Sequence, residues 1–359
     1  MLDRIRAEIE STGPLPFERF MTLALYDPDG GYFSSGSALR SSQGGDFLTS
    51  PEVSPLFGAT LARFVEFEAS RLGIVPTVVD AGAGSGSLLR SLLDAMEEPP
   101  GAVFAVEVSP AAAARIAETV PEATVVATFD HLPPLSPGVV IANELLDNLP
   151  AAVAVRRGGR WAEQMVGVEE GVLVIEEHPA RPEVAAWADD HGGDAVEGAV
   201  VEVQIAASEW VDAALARLVS GALVVIDYGD TTEGLGPRRA TGTIRTYRAH
   251  HLGPDPLLAP GGTDITMDLN FSAIADAARA VGASVTIERQ DNFLDEWGLR
   301  AVLSDLRARE LELARSGDTM ERLRMRSRVT EAETLLHPRG LGDFRVLVAR
   351  KPRDAVHSP

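Results

Sequence analysis

The chain has 359 residues and no cysteine, and its 32 basic and 53 acidic side chains give a formal net charge of −21. The missing cysteine excludes disulfides, zinc–thiolate sites, iron–sulfur clusters and thiol nucleophiles. The acid excess argues against a nucleic-acid-binding protein, because a phosphate-binding surface needs clustered Lys and Arg.

The chain is longer than a typical single core of about 250–300 residues, which predicts one large domain with insertions or two domains. It contains no run of about 18 apolar residues, so we expect no membrane insertion. Residues 1–10 alternate charged and apolar side chains and lack the apolar core of a signal peptide. We therefore expect a cytoplasmic protein. No carboxylate or histidine cluster has the spacing of metal ligands, so we expect no metal site.

The first 50 residues are rich in Gly, Pro, Ser and aromatic residues. Long loops in a compact chain are usually functional lids or disordered, and the aromatic residues argue against disorder. A helix is predicted next, with Ser50 as its N-cap and Pro51 at its first position. Apolar residues then recur at helical spacing as far as Phe67.

The middle of the chain alternates strands and helices. Five apolar runs are typical of buried strands: residues 77–80, 103–107, 123–127, 139–142 and 222–226. Helical segments separate the first three, which indicates a parallel sheet covered on both faces. Further along, the patterns predict a helix, a sixth strand, a charged helical region and a last strand, at residues 271–281, 284–287, 295–336 and 344–349.

The predicted fold class is therefore α/β, a Rossmann-like sheet with an N-terminal lid and an inserted α+β substrate region. The expected segments are a lid (1–50), the first part of the core (51–150), an inserted substrate-region segment (151–220), the core continuation with an active-site loop (221–294), a helical insertion (295–336), and the last strand with the C-terminal tail (337–359).

A glycine loop between the first strand and the next helix is the sharpest local feature. Asp80 precedes Gly82, Gly84 and Gly86, and glycines allow a tight turn and close approach of a ligand to the backbone. The dinucleotide fingerprint spaces its third glycine differently, and Asp80 would repel a pyrophosphate. The pattern resembles the first motif of class I S-adenosylmethionine (SAM) methyltransferases. A dinucleotide site or a purely structural turn remain the alternatives.

Glu107 ends the second predicted strand, 21 residues beyond Gly86 (107 − 86). An acid at this place can accept hydrogen bonds from both ribose hydroxyls of an adenosine. This feature fits SAM and nicotinamide cofactors equally. Alternatively, Glu107 is a solvent-exposed acid at a strand end with no role in binding.

A polar segment follows the fourth predicted strand, where ligands bind in doubly wound sheets. Glu144 and Asp147 are three residues apart and would share one face of a helical turn. Two carboxylates there could orient a guanidinium through charge-assisted hydrogen bonds, although its pKa above about 12 prevents deprotonation of the free cation. Alternatively, they are ordinary acids in a first helical turn that Asn143 caps.

Motifs along nearly the whole chain resemble the MidA-like family of SAM-dependent methyltransferases, which includes a mitochondrial complex I assembly factor with protein arginine methyltransferase activity. Besides the glycine loop, the matching segments are residues 25–33, 45–52, 106–110, 142–150, 226–229, 255–257, 260–261, 264–266, 271 and 341–344.

The resemblance implies a Rossmann-like SAM domain, a second region over the active site, and methylation of a protein arginine. By matched position, Gly82, Gly84, Glu107 and Asn143 would line the cofactor site. Asp46, Thr49 and Ser50 would lie in the lid above it, and Glu144 and Asp147 would face the substrate. Where the family has T-x-H-V-D-F, this chain has Asp268 and Asn270 in place of the histidine and the aspartate.

We therefore expect a SAM-dependent protein arginine N-methyltransferase whose partner is a protein substrate, with a homodimer left open. Two alternatives remain: a non-catalytic SAM-binding assembly factor for a protein complex, and a methyltransferase acting on a small molecule. The net charge of −21 is consistent with a cationic substrate.

Overall fold

The computed structural model describes residues 1–35, 50–135, 137–248, 251–316 and 319–352. Asp46 and Thr49, two of the expected lid residues, lie outside these ranges. In chain order the helices are α1 (Leu2–Thr12), α2 (Phe17–Tyr26), α3 (Ser50–Val53), α4 (Pro55–Leu72), α5 (Ser87–Ala95), α6 (Pro110–Thr119), α7 (Pro182–His191), α8 (Ile205–Arg217), α9 (Thr232–Leu235), α10 (Phe271–Ala280), α11 (Gln290–Glu296), α12 (Leu299–Ser316) and α13 (Thr319–Leu335).

The strands divide among one large sheet and three smaller ones. In chain order they are β1 (Leu15–Pro16), β2 (Thr77–Ala81), β3 (Ala102–Val106), β4 (Thr124–Val126), β5 (Gly138–Asn143), β6 (Ala152–Arg157), β7 (Arg160–Glu169), β8 (Val172–Pro179), β9 (Val200–Val203), β10 (Gly221–Asp227), β11 (Gly229–Asp230), β12 (Arg245–Arg248), β13 (His251–Leu252), β14 (Asp264–Thr266), β15 (Leu269–Asn270), β16 (Ser284–Arg289) and β17 (Arg345–Lys351).

The central sheet has the strand order β16–β17–β10–β5–β2–β3–β4. The five strands from β10 to β4 run parallel, with registers such as Val224 opposite Ile141. β17 lies antiparallel between β10 and β16. This arrangement places the carboxyl ends of β2, β3, β5 and β10 along one edge, where doubly wound sheets bind their ligands.

Both faces of the central sheet are covered, which explains why its strands read as continuous apolar runs. Helices α4–α6 and α11–α13 cover one face, with Phe64 and Phe293 among the fully buried residues. Helices α8 and α10 cover the other, through residues such as Val211 and Phe271. The predicted α/β sheet accounts for most of the molecule's apolar core.

A second sheet is formed by β1, β6, β7, β8 and β9. Helices α1 and α2 pack on one of its faces, and α7 packs on the other. The predicted insertion, residues 151–220, supplies β6–β9 and α7 to this layer, whereas its last helix, α8, packs on the central sheet. Residues 151–220 therefore contribute both to the second sheet and to the covering of the central sheet. The domain boundaries remain a prediction.

The helix expected directly after the predicted lid differs from the prediction. Ser54, not Ser50, caps the long helix α4, with its side chain accepting a hydrogen bond from the Leu56 N–H at 3.2 Å. The separate four-residue helix α3 begins at Ser50. The prediction of one continuous helix was wrong because the sequence contains two Ser-Pro pairs, and Pro55 lacks the N–H that would continue α3. In the described ranges no helix is long and apolar enough to cross a membrane.

Candidate active site

A cavity of about 520 Å³ opens at the carboxyl ends of β2, β3 and β5, beneath aromatic residues of the N-terminal region. The loops at the strand ends supply its polar walls. Three aromatic residues from the N-terminal region of the chain also line it, namely Tyr26, Tyr32 and Phe33. The predicted site residues that line it are Asp80, Gly82, Gly84, Glu107, Asn143, Glu144 and Asp147. Residues that were predicted separately, from the ends of different strands, therefore line one cavity.

The glycine loop adopts the backbone that its sequence predicts. Gly82, Gly84 and Gly86 all have positive φ, at 72°, 54° and 77°, a region that favours glycine. Gly86 does not line the cavity, in contrast to the expectation. A Cβ atom built at Gly86 would lie 3.4 Å from side-chain atoms of Ile116 and Val120. Its conformation and its packing against α6 therefore explain this third glycine.

Asp80 ends its strand with a carboxylate that is almost completely buried. Its Oδ2 atom has no hydrogen-bond partner in the described part of the chain, and the same holds for Oδ1 of the neighbouring Asn143. Burial and the charge of Glu107 raise the pKa of Asp80 to about 8. Two acceptor oxygens without partners indicate a ligand that brings N–H or O–H donors.

Glu107 is fixed by the backbone. Its Oε2 accepts the Gly84 N–H at 2.9 Å, and its Oε1 accepts the Ser109 N–H at 2.7 Å. Burial raises the pKa of Glu107, and these N–H groups oppose the shift. Each carboxylate oxygen keeps a second lone pair, so the pair of oxygens can also accept two ribose hydroxyls. The polar groups at this end of the cavity fit the adenosine and the ammonium group of SAM.

Glu144 lies in a strained turn rather than in the predicted helical one. Its φ is 51°, a region where non-glycine residues are uncommon, and its N–H donates to the Ile226 carbonyl at 2.9 Å. The Asn143 amide (3.3 Å) and the Ser50 N–H donate to its carboxylate. Burial and the nearby Asp147 raise the pKa of Glu144 to about 8.

Ser50 supports Glu144 instead of lining the cavity, as its place in the expected lid had suggested. Its side chain is fully buried and accepts a hydrogen bond from the Gln290 amide at 3.2 Å. Its neighbours Pro51 and Glu52 line the cavity in its place. Ser50 thus connects the start of α3 to Glu144.

Asp147, the second acid expected to face the substrate, lies in a short 3-10 turn, Leu146–Asn148. The hydroxyls of Tyr228 and Thr266 donate to its Oδ2 atom. Its Oδ1 atom is buried and accepts no hydrogen bond from the described residues. Burial raises the pKa of Asp147, and the hydrogen bonds from the two hydroxyls partly offset this rise. One oxygen is thus fixed by the protein, and the other is left for a ligand.

Asp227 supports this turn from the end of β10. Its carboxylate accepts the N–H groups of Leu146 and Asp147, both at 3.2 Å, and of Tyr228 at 3.0 Å. The residue is fully buried, so burial and the charge of Asp147 raise its pKa well above the usual range. Asp227 therefore holds the loop that carries Asp147.

The two departures from the family pattern lie behind the cavity. Asp268 forms ion pairs with Arg238 and with Arg245, the latter at 2.7 Å. Arg245 in turn lies over the Tyr228 ring, 4.5 Å from its centroid. Asn270 caps α10, with its side-chain oxygen accepting two backbone N–H groups. Neither residue lines the cavity, so the departures alter its support rather than its wall.

The site residues predicted from single motifs did not include Tyr26, Tyr228, Asp264 or Thr266, although all four lie in segments that match the family pattern. A signal was available for Tyr228, because it directly follows the apolar run of the fifth strand and therefore lies at the ligand-binding edge. The described residues contain no group of three or more His, Asp or Glu side chains that could hold a metal ion.

Residues 60–288 match the family described as S-adenosyl-L-methionine-dependent methyltransferases. The Drosophila melanogaster homologue of the protein arginine methyltransferase NDUFAF7 is 27% identical over 316 residues, which cover 78% of this chain and 70% of that one. The human protein arginine methyltransferase NDUFAF7 is 27% identical over 341 residues, covering 83% and 73%.

Two solved structures from Burkholderia thailandensis share the fold over 98% of this chain and 91% of theirs, at 32% identity. The TM-scores are 0.85 for the one bound to S-adenosyl-homocysteine and 0.83 for the native one. These matches confirm the predicted methyltransferase fold, the family and the cofactor.

The comparisons contradict the cytoplasmic prediction, since the fly and human relatives are named as mitochondrial proteins. That prediction rested on the absence of a targeting segment, and such an absence does not establish a compartment.

Proposed function

We propose, on the premise that the chain belongs to the S-adenosyl-L-methionine-dependent methyltransferase family, that its methyl acceptor is a protein arginine side chain. One observation carries the proposal. Asp147 places a buried acceptor oxygen that has no partner among the described residues in the same cavity as Asp80 and Asn143, whose unpartnered oxygens fit the cofactor. Such a cavity selects ligands that bring positive charge and N–H donors. The relatives named protein arginine methyltransferases agree with this acceptor.

The cofactor end of the cavity is formed by the glycine loop, Asp80 and Glu107. Asp80 suits the ammonium group of the methionine part, and Glu107 suits the ribose hydroxyls. When bound, SAM supplies a methyl group on a sulfonium, a good electrophile. Burial of Asp80 excludes water from its contact with the cofactor, which strengthens that contact.

Glu144 and Asp147 would bind the acceptor. A guanidinium presents planar N–H donors that match carboxylate oxygens, so the two acids can orient one nitrogen toward the methyl group. They cannot deprotonate the free cation, but they stabilise its charge as the nitrogen bonds to the methyl group. With its raised pKa of about 8, Glu144 is suited to take up the proton that this nitrogen loses.

Calorimetric titration with SAM tests the cofactor site. Gly84 and Gly282 have φ values of 54° and 83°, and at neither glycine does an added Cβ come closer than 4.0 Å to another described residue. Gly84→Val and Gly282→Val therefore impose similar backbone strain, but only the first fills the cavity. We expect Gly84→Val alone to abolish binding. A wild-type protein that does not bind SAM contradicts the proposal.

Mass spectrometry of methylated arginine tests the acceptor. Cells that lack the gene should lose methylation at one or more protein arginines, and Asp147→Asn should fail to restore it while still binding SAM. Replacement of the exposed Asp276 by Asn serves as the control that restores methylation. If no arginine methylation depends on the gene, the acceptor belongs to another chemical class.

A further inference from the structure

A third carboxylate lines the acceptor end of the cavity. Asp264 is the first residue of β14, and its Oδ1 accepts the Asn148 amide at 2.8 Å. The same amide also donates to the Ile265 carbonyl at 3.0 Å, which fixes its orientation. The Ile265 N–H also donates to this carboxylate, which lines the cavity beside Asp147. The protein thus holds the Asp264 carboxylate in place at the cavity wall.

The surroundings of Asp264 do not neutralise it. Asp147 is near enough to raise its pKa, and together with burial brings it to about 7. Arg245 opposes this shift from β12 but forms its ion pair with Asp268 instead. Within the described ranges, the phenols of Tyr26 and Tyr228 also face Asp264, and Tyr247 is paired with it across the strands. Two neighbouring carboxylates, one fully buried and one half-buried, are costly to ionise together unless a ligand supplies a positive charge.

We propose that Asp264 is a further substrate-binding residue, whose carboxylate accepts an N–H of the cationic acceptor group beside the unpartnered Oδ1 of Asp147, with Asn148 as its positioning residue. The inference rests on the proposed function. A guanidinium has five N–H donors. Tyr228 and Thr266 already donate to Asp147, and Asn143 and Ser50 donate to Glu144. A third carboxylate supplies the acceptors that these two acids lack.

Binding of N-acetyl-arginine amide to the protein saturated with S-adenosyl-homocysteine tests the inference. Loss of one charge-assisted hydrogen bond weakens binding about tenfold or more, so Asp264→Asn should show at least this loss in calorimetry. The matched control is Asp276→Asn, which changes an exposed acid on α10 that pairs with Arg279. It should bind like the wild type, and both variants should keep the wild-type affinity for S-adenosyl-homocysteine.

The number of protons released on binding separates a contact from mere structural support. At pH 7 an acid whose pKa is about 7 is half protonated in the free protein, and a bound cation drives its proton off. Titration in buffers of different ionisation enthalpy should therefore show proton release by the wild type and less by Asp264→Asn. Asp264→Glu keeps the ionisable group, so it should restore part of the release even if its affinity is weaker.

Each outcome decides one of the two proposals. Wild-type affinity and unchanged proton release in a folded Asp264→Asn overturn the role of Asp264, while loss of methyl transfer in Asp147→Asn leaves the proposed function standing. If the wild-type protein does not bind the arginine probe and no arginine methylation in cells depends on the gene, both proposals are overturned. Should Asp264→Asn not fold, Asn148→Ser provides the same comparison, because it removes the amide that holds Oδ1.

Discussion

Two hydroxyls, those of Tyr228 and Thr266, donate hydrogen bonds to Asp147 in the proposed acceptor site. The hydrogen bonds from Tyr228 and Thr266 lower the pKa of Asp147 against the effect of burial. Tyr228→Phe removes one of them, so the pKa of Asp147 should rise and the acidic limb of the rate profile should move to higher pH. The check is the pH dependence of kcat/KM for methyl transfer.

Tyr26→Phe is the matched control for Tyr228→Phe. Tyr26 also lines the cavity, but its hydroxyl donates to the Asn148 carbonyl at 3.2 Å rather than to a carboxylate. Its loss should leave the position of the acidic limb unchanged. Equal profiles for Tyr228→Phe and the wild type would show that the Tyr228 hydroxyl does not tune Asp147.

At the residue scale, the sequence predicted the position of those site residues that lie at the ends of strands. Asp80, Glu107 and Glu144 each follow an apolar run, so their place at the ligand edge was predictable. The partners of Asp147 were not, because Tyr228 and Thr266 lie 81 and 119 residues away in the chain. Such contacts depend on how distant loops pack, and no local spacing encodes them.

At the element scale, Asn270 links a departure from the family pattern to helix stability. Its oxygen caps α10, and its amide donates to the His191 carbonyl and the Thr232 hydroxyl at 3.2 Å and 3.1 Å. We expect Asn270→Ala to lower the free energy of unfolding by about 1–2 kcal/mol, measured by urea denaturation. Asn270→Asp keeps the capping oxygen and should lose less. SAM affinity should be unchanged in both, and a loss confined to SAM binding would place Asn270 in the site instead.

Element boundaries were predictable only where one local signal stood alone. The strand that became β5 needed only its apolar run. The start of α4 was misplaced because Ser50 and Ser54 each offer a cap followed by proline, and the choice depends on packing. The position of β17 inside the sheet was also beyond local patterns, because strand order is fixed by contacts between residues such as Ile226 and Val346.

At the scale of the whole molecule, acids whose pKa is raised in the folded protein make stability depend on pH. In the folded protein the pKa is about 8 for Asp80 and Glu144 and about 7 for Asp264, each above its usual value near 4. The folded state therefore binds more protons than the unfolded state between pH 4 and 8. The stability that these groups contribute is present in acid and is lost as the pH rises through the folded pKa.

We therefore expect the free energy of unfolding of the ligand-free protein to fall from pH 5 to pH 8, by about 1.4 kcal/mol per pH unit for each acid that stays protonated. Asp80→Asn replaces one of these acids by a neutral group of the same shape, so in urea denaturation its curve should be flatter and lie above the wild type at pH 8. Glu122→Gln is the control, because Arg90 and the backbone lower the pKa of exposed Glu122 and its ionisation is complete below this range. The opposite result, a wild-type stability that rises with pH over this range, would mean that the acids of the empty cavity are already ionised. In that case they would not need the positive charge of a ligand to stay ionised.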